Sequence, residues 1–150
     1  MNTNKNSLIN FQEIKGDLFA NALPHESLAH CISKDIRMGA GIALQFVKKY
    51  GGVQELKAQR KNVGEVAYLK RDDRYIFYLI TKEIVYDCPE KGDFICSLHC
   101  LRGLCEQLGV SVICMPRIGT GLDKLPLDFV HASVKEIFKG SDIVIKMYYI

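Results

Sequence analysis

The sequence predicts a single three-layer α/β/α domain built on a mixed sheet of mostly six strands. Three observations carry this expectation. Short β-rich runs alternate with helical periodicities along the chain, as the crossover units of a parallel sheet do. Two of those runs flank Arg71-Asp72-Asp73, a gap that suits only a tight hairpin, so part of the sheet is antiparallel. The chain has 150 residues, 48% apolar and 25% charged. That is the length of one domain, able to bury roughly two-thirds of its unfolded surface without disulfide or metal staples.

The elements follow in order. Residues 1–10 are polar and Asn-rich and are expected to form a flexible segment before a domain over 11–150. They hold no apolar stretch of the kind a secretory signal needs. Strands are expected at 11–15 and 27–33. A helix at 40–50 is stopped by Gly51-Gly52, and a shorter one runs over 53–59. The hairpin strands are 65–70 and 74–80. Phe94, Leu98, Leu101, Cys105 and Leu108 recur every three or four positions, which predicts an amphipathic helix over 93–108 ending at Gly109. A strand at 110–115 follows. Pro126 suits a first helical turn, and Leu127, Val130, Val134 and Ile137 share one face of a helix over 126–138. The last strand is expected at 142–149.

Composition excludes several function classes. Twenty Lys+Arg against seventeen Asp+Glu give a net charge of +3, too mild for a dedicated nucleic-acid binder. No apolar run is long enough to cross a bilayer, so no membrane association is expected. The six cysteines contain no CxxC pair and read as reduced thiols filling apolar space. Cys96, His99 and Cys100 fall on one helix, but a zinc site wants a second ligand pair, so no metal is expected.

Two glycine-rich segments stand out: Arg37-Met38-Gly39-Ala40-Gly41-Ile42-Ala43, leading into a helix, and Pro116-Arg117-Ile118-Gly119-Thr120-Gly121-Leu122-Asp123, after a buried strand. Each is readable as a simple turn. The other reading is a loop whose amides approach an anion without a Cβ in the way. A dinucleotide fingerprint fits the first poorly, because 34–38 separate it from the preceding strand. Lys82 follows the apolar run Tyr75 to Thr81. It is either a lysine snorkelling to water or a nucleophilic amine at a strand end. Asp123 is either a turn cap or a general base. Asp17 is a turn residue or an acceptor for an exocyclic amine. His30, between apolar neighbours, reads as a hydrogen-bonded core histidine. Lys48, Lys49, Lys57, Arg60 and Lys61 form a basic group that is a solvated face or a weak, salt-sensitive contact for nucleic acid.

Taken in order, these segments resemble one family. Lys15-Gly16-Asp17-Leu18-Phe19, the run from Ser27 to Ser33, the first glycine loop, Tyr78-Leu79-Ile80-Thr81-Lys82 and the run from Met115 to Asp123 are similar to macrodomain proteins of the terminal ADP-ribose protein glycohydrolase or O-acetyl-ADP-ribose deacetylase type. The resemblance runs from about residue 11 onward. It implies an ADP-ribose pocket lined by Asp17 and Leu18 at the adenine, and by Ser33. The phosphates would lie between Gly39, Ala40, Gly41 and Ile42 on one side and Arg117, Ile118, Gly119, Thr120, Gly121 and Leu122 on the other. Ile150 takes the place of a ligand-touching residue that is usually leucine. Thr120 stands where relatives can have cysteine.

The same resemblance puts a nucleophilic lysine at Lys82 and a catalytic aspartate at Asp123. The implied activity is release of terminal mono-ADP-ribose from acidic residues of modified proteins, and deacylation of O-acetyl-ADP-ribose, with no cofactor. The alternative is a non-catalytic ADP-ribose reader. Implied partners are ADP-ribose and ADP-ribosylated proteins, with room for a weak RNA or poly(ADP-ribose) association. A monomer acting in the DNA damage response, in nucleus and cytoplasm with the nucleolus left open, completes the expectation.

Overall fold

The computed structural model describes residues 10–121 and 123–150. Its strands are β1 (Phe11–Lys15), β2 (Ser27–Ser33), β3 (Val66–Arg71), β4 (Arg74–Lys82), β5 (Val112–Pro116) and β6 (Val144–Tyr149). They form one sheet in the order β1-β6-β5-β2-β4-β3. Every neighbouring pair is parallel except the β3–β4 hairpin, so the sheet is mixed with a single antiparallel edge. Asp72 makes the hairpin turn in the left-handed region, at φ 55. The helices are α1 (Leu18–Asn21), α2 (Gly41–Tyr50), α3 (Val53–Ala58), α4 (Lys91–Leu108) and α5 (Leu127–Phe138).

Parallel strands joined by crossovers carry helices on both faces, so the central strands are buried on both sides. In β4 every residue from Ile76 to Thr81 is buried. One apolar cluster packs Phe94, Leu98 and Leu101 of α4 and Val130 and Val134 of α5 against Phe77, Leu79, Ile113 and Ile145. The other packs Leu18, Phe46 and Leu56, from α1, α2 and α3, against Leu28, Ile76, Tyr78 and Cys114. Neighbouring residues of a strand belong to opposite clusters, as the two-residue period requires. This is the three-layer architecture that the alternation of elements predicts.

Two local features bear on the site. The β2–β4 register pairs Ile32 with Ile80 but Ser33 with Lys82, so the ladder slips by one residue at its carboxyl end. β4 therefore runs two residues past the end expected from the apolar run, and Lys82 is its last residue. Such a slip re-aims the side chains that follow it. Second, the short helix α1 has no counterpart in the sequence reading. It begins where the Asp17 carboxylate accepts a hydrogen bond from the amide of Ala20 at 2.9 Å. Asn10 is already tied down, its side chain donating to the Ser141 carbonyl at 2.8 Å. The rest of the N-terminal segment expected to be flexible, residues 1–9, lies outside the described residues.

His30 departs from expectation. It is buried, but among the described residues neither ring nitrogen finds a hydrogen-bond partner. The ring is held instead by stacking on Phe46, centroids 3.9 Å apart, with Tyr78 edge-on at 4.9 Å. Burial pushes its pKa from 6.5 down to about 3. The unfolded chain therefore takes up a proton below about pH 6.5 while the folded protein refuses it until about pH 3. Stability is thus complete above 6.5 and falls as the pH drops through that window. Chemical denaturation at pH 7 and pH 5 is expected to show wild type losing about 2 kcal/mol more than His30→Phe over that interval. Equal losses in the two proteins would refute the assignment.

Candidate functional site

β5, β2 and β4 are neighbours in the sheet and bring their carboxyl ends to one place, where open α/β sheets hold ligands. β2 ends in Ser33 and β4 in Lys82, and the second glycine loop leaves β5 after Pro116. Around these ends lies a cavity of about 540 Å³, well within the range of small-molecule sites.

Lys82 and Asp123 meet in its wall. The Lys82 Nζ donates to Asp123 Oδ1 at 2.6 Å, with the side chains only 9% and 14% exposed. Forty-one positions separate them, so the contact exists only because the loop after β5 folds back across the end of β4. Cys31 stands beside the pair. Burial, and then the Asp123 carboxylate, push its thiol pKa up, so it is protonated at neutral pH and no competing nucleophile.

The wall beside Lys82 is braced through Asp35. The Ser33 hydroxyl donates to the Asp35 carboxylate, which also accepts from the Val85 amide at 3.3 Å. Burial alone would raise the Asp35 pKa. Hydrogen bonds from Ser33 and from the Val85 and Arg37 amides outweigh it and hold the group below its ordinary value. Main-chain bonds from Lys34 to the Lys82 carbonyl (2.8 Å) and from Asp35 to that of Glu83 (3.2 Å) carry the pairing of β2 and β4 past the sheet.

The two glycine segments face each other across the cavity. From the first come Ala40, Gly41 and Ile42. Gly41 opens α2 at φ 60, and no side chain caps that helix start. The first amides of this ten-residue helix, at Gly41 and Ile42 beside the cavity, are thus without a side-chain cap among the described residues. From the second come Arg117, Ile118, Gly119, Thr120 and Gly121. The Thr120 hydroxyl donates to the Arg117 carbonyl at 2.7 Å and so tightens the turn.

Gly39, Asp17, Leu18 and Ile150, also expected at the site, are not among the residues lining this cavity. Asp17 is exposed, with Oδ2 committed to the α1 cap. Leu18 is buried beneath it, and Ile150 is 94% exposed. Leu122 lies outside the described residues. The basic residues Lys48, Lys49, Lys57 and Arg60 are exposed on and after α2 and α3, with Lys49 over the Phe19 ring at 5.1 Å. Among the described residues no three His, Cys, Asp or Glu side chains converge as a metal site, and no helix is long and apolar enough to cross a membrane.

Sequence reasoning missed Cys31, Asp35 and the loop after Lys82, where Tyr86 is 80% exposed and lies under the Arg37 guanidinium at 5.7 Å. Asp35 was detectable: a carboxylate two residues past a strand-end serine is placed to accept from it.

The fold is that of the macrodomain of Thermus aquaticus DarG, with a TM-score of 0.82 at 23% identity over 93% of this chain and 97% of that one. It is also that of Thermosipho africanus DarTG, whose structure is a complex with ADP-ribose: TM-score 0.77, 18% identity, 91% of this chain and 41% of that one. No family model matches the sequence. The ADP-ribose glycohydrolase OARD1 of Homo sapiens is 53% identical over 135 residues, which is 90% of this chain and 88% of that protein. The chain belongs to the macrodomain family.

Within this macrodomain the two glycines of the second loop have different physical demands. Gly119 sits at φ 73, and a Cβ there would lie 2.8 Å from Leu125 Cδ1. Gly121 is not left-handed, and a Cβ there meets nothing within 4 Å. Thermal melts are expected to show Gly119→Ala lowering the melting temperature by roughly 5 °C and Gly121→Ala leaving it unchanged. Equal effects would contradict the loop geometry.

Proposed function

We propose that this macrodomain is an ADP-ribosyl hydrolase that releases terminal mono-ADP-ribose from acidic residues of modified proteins and deacylates O-acetyl-ADP-ribose. The carrying observation is the Lys82–Asp123 contact, 2.6 Å long, in the wall of a cavity flanked by two glycine loops. The 53% identity to a protein named ADP-ribose glycohydrolase supports the same reading.

The loops account for binding. A diphosphate between Ala40–Ile42 and Arg117–Gly121 would accept from the uncapped amides of α2 and from those of the second loop. With Oδ2 of Asp17 held by Ala20, the adenine amine is assigned to Oδ1. The distal ribose is assigned to the end of the cavity lined by Ser33, Lys82 and Asp123.

Lysine and aspartate account for the chemistry. In an ADP-ribosyl ester the anomeric carbon of the distal ribose is electrophilic. Asp123 takes the proton that the Lys82 ammonium must lose, and the free amine attacks that carbon to form a glycosylamine, which can open to an imine. The bond from the anomeric carbon to the ester oxygen breaks, and the aglycone leaves as a carboxylate. Water then adds to the lysyl-sugar adduct, the carbon–nitrogen bond breaks, and Asp123 returns the proton. The products are ADP-ribose and regenerated Lys82. An amine suits the step because the glycosylamine it forms can open to an imine that water hydrolyses.

Single-turnover incubation with a protein mono-ADP-ribosylated on glutamate tests the proposal. Wild type is expected to release ADP-ribose. Lys82→Ala should lose turnover by at least about a thousandfold while still binding ADP-ribose. Asp123→Ala, with only water to deprotonate the amine, should turn over far more slowly and retain an enzyme adduct of ADP-ribose mass, because the returning proton is missing. Tight ADP-ribose binding by a wild type that releases nothing would make the protein a reader and leave Lys82–Asp123 a plain ion pair.

A further inference from the structure

Behind the second glycine loop stands a charge cluster that the reaction above does not use. Glu13, in the middle of β1, holds the Arg117 guanidinium with both carboxylate oxygens: Nη2 to Oε1 at 2.7 Å and Nε to Oε2 at 3.4 Å. From α5, His131 Nε2 meets the same Oε2 at 2.5 Å. The other side of the guanidinium lies over the Tyr149 ring of β6, 4.1 Å from its centroid. Glu13 and His131 side chains are each 23% exposed and Arg117 is 34% exposed, so the group is partly removed from water. Burial alone would raise the Glu13 pKa; the hydrogen bonds from Arg117 and His131 outweigh it and keep the group ionised.

Arg117 has a second task at its main chain. Its carbonyl accepts from the Thr120 amide at 3.3 Å and from the Thr120 hydroxyl at 2.7 Å. The turn carrying Gly119, Thr120 and Gly121 along the cavity therefore pivots on a residue whose side chain is clamped to β1 and β6. A forked, planar guanidinium held at two oxygens and against a ring has one orientation, which a flexible ammonium would not have.

We propose that Glu13 is a positioning residue for the ligand: by clamping Arg117 between β1 and Tyr149, it fixes the pivot of the second glycine loop and with it the loop's amides. For its effect on binding, this rests on the reading of that loop as a phosphate cradle. For its effect on the loop, it stands alone. Glu13 also occupies the positive charge that Arg117 would otherwise offer to an anion. Two opposite consequences of removing it thus compete, and the proposal is that loss of order wins over release of charge.

Glu13→Gln removes the charge and keeps the shape; Arg117→Lys keeps the charge and loses the fork. The first measurement is hydrogen exchange without ligand, at the Ile118 and Thr120 amides, which are bonded within the turn at 2.7 and 3.3 Å. Both variants are expected to exchange there at least about tenfold faster while β2 and β4 keep their rates. The second is ADP-ribose binding by calorimetry, expected to weaken about tenfold in Glu13→Gln, the size of one lost charge-assisted bond. Unchanged exchange in both variants overturns the proposal, as does faster exchange spread evenly over the sheet, which would mark a general structural role. Tighter ADP-ribose binding by Glu13→Gln also overturns it, since Glu13 would then only mask Arg117. Failure of wild type to bind ADP-ribose sinks the functional reading instead, and the exchange result alone then decides the clamp.

Discussion

An ammonium and a carboxylate in contact, each mostly withdrawn from water, cannot be separated cheaply. Removing either partner of such a pair strands the other, a far larger loss than an exposed ion pair would involve. Lys82 and Asp123 are in this position, and much of the surrounding architecture exists to bring them together. The slipped register at the end of β4 sets Lys82 opposite Ser33. The loop after β5 is turned back by the bond from the Leu125 amide to the Gly119 carbonyl, 2.7 Å, and pinned by Ile118, which is buried. The site is thus assembled from strand ends and rigid turns, which hold geometry better than a free loop.

Charge arrangement within the cavity follows a division of labour. On the proposed function an anion would be met by backbone amides, whose partial charges need no fresh desolvation when a ligand arrives. Arg117, a full positive charge that the second loop brings to the cavity, is matched by Glu13. The Lys82 ammonium is matched by Asp123. Burial keeps two neighbouring groups uncharged: the Cys31 thiol stays protonated and the His30 ring stays neutral.

Much of this was legible in the sequence, for identifiable reasons. Leu98 and Leu101, or Val130 and Val134, announce helices because local spacing alone decides which face they share. Gly41 and Gly119 announce tight loops because their left-handed backbone suits few other residues. Lys82 and Asp123 were visible as a strand-end amine and a loop-end acid, although spacing could not place them in contact. What stayed hidden depends on pairs far apart in the chain. The register slip that makes Lys82 part of β4 is a property of two strands, not one. The contact between Glu13 and Arg117 joins positions 104 apart. Asp17 offers the same carboxylate for a helix cap as for a ligand, and the sequence does not say that the cap takes one oxygen. His30 was expected to find a hydrogen bond. Its ring instead settled for stacking on Phe46, a contact supplied by α2.

The strand order has a consequence for how the molecule is made. β6 lies between β1 and β5, so β1 cannot join the sheet until residues up to Tyr149 have been synthesised. On the ribosome, the hairpin and its pairing with β2 can form early, whereas the first strand must wait for the last. High sequence separation of this kind slows folding and leaves apolar strand edges uncovered meanwhile. Glu13 and Tyr149 both belong to that late-closing edge. The lysine end of the pocket can therefore take shape on the nascent chain, but the clamp on Arg117 closes only once β6 is available to seat β1.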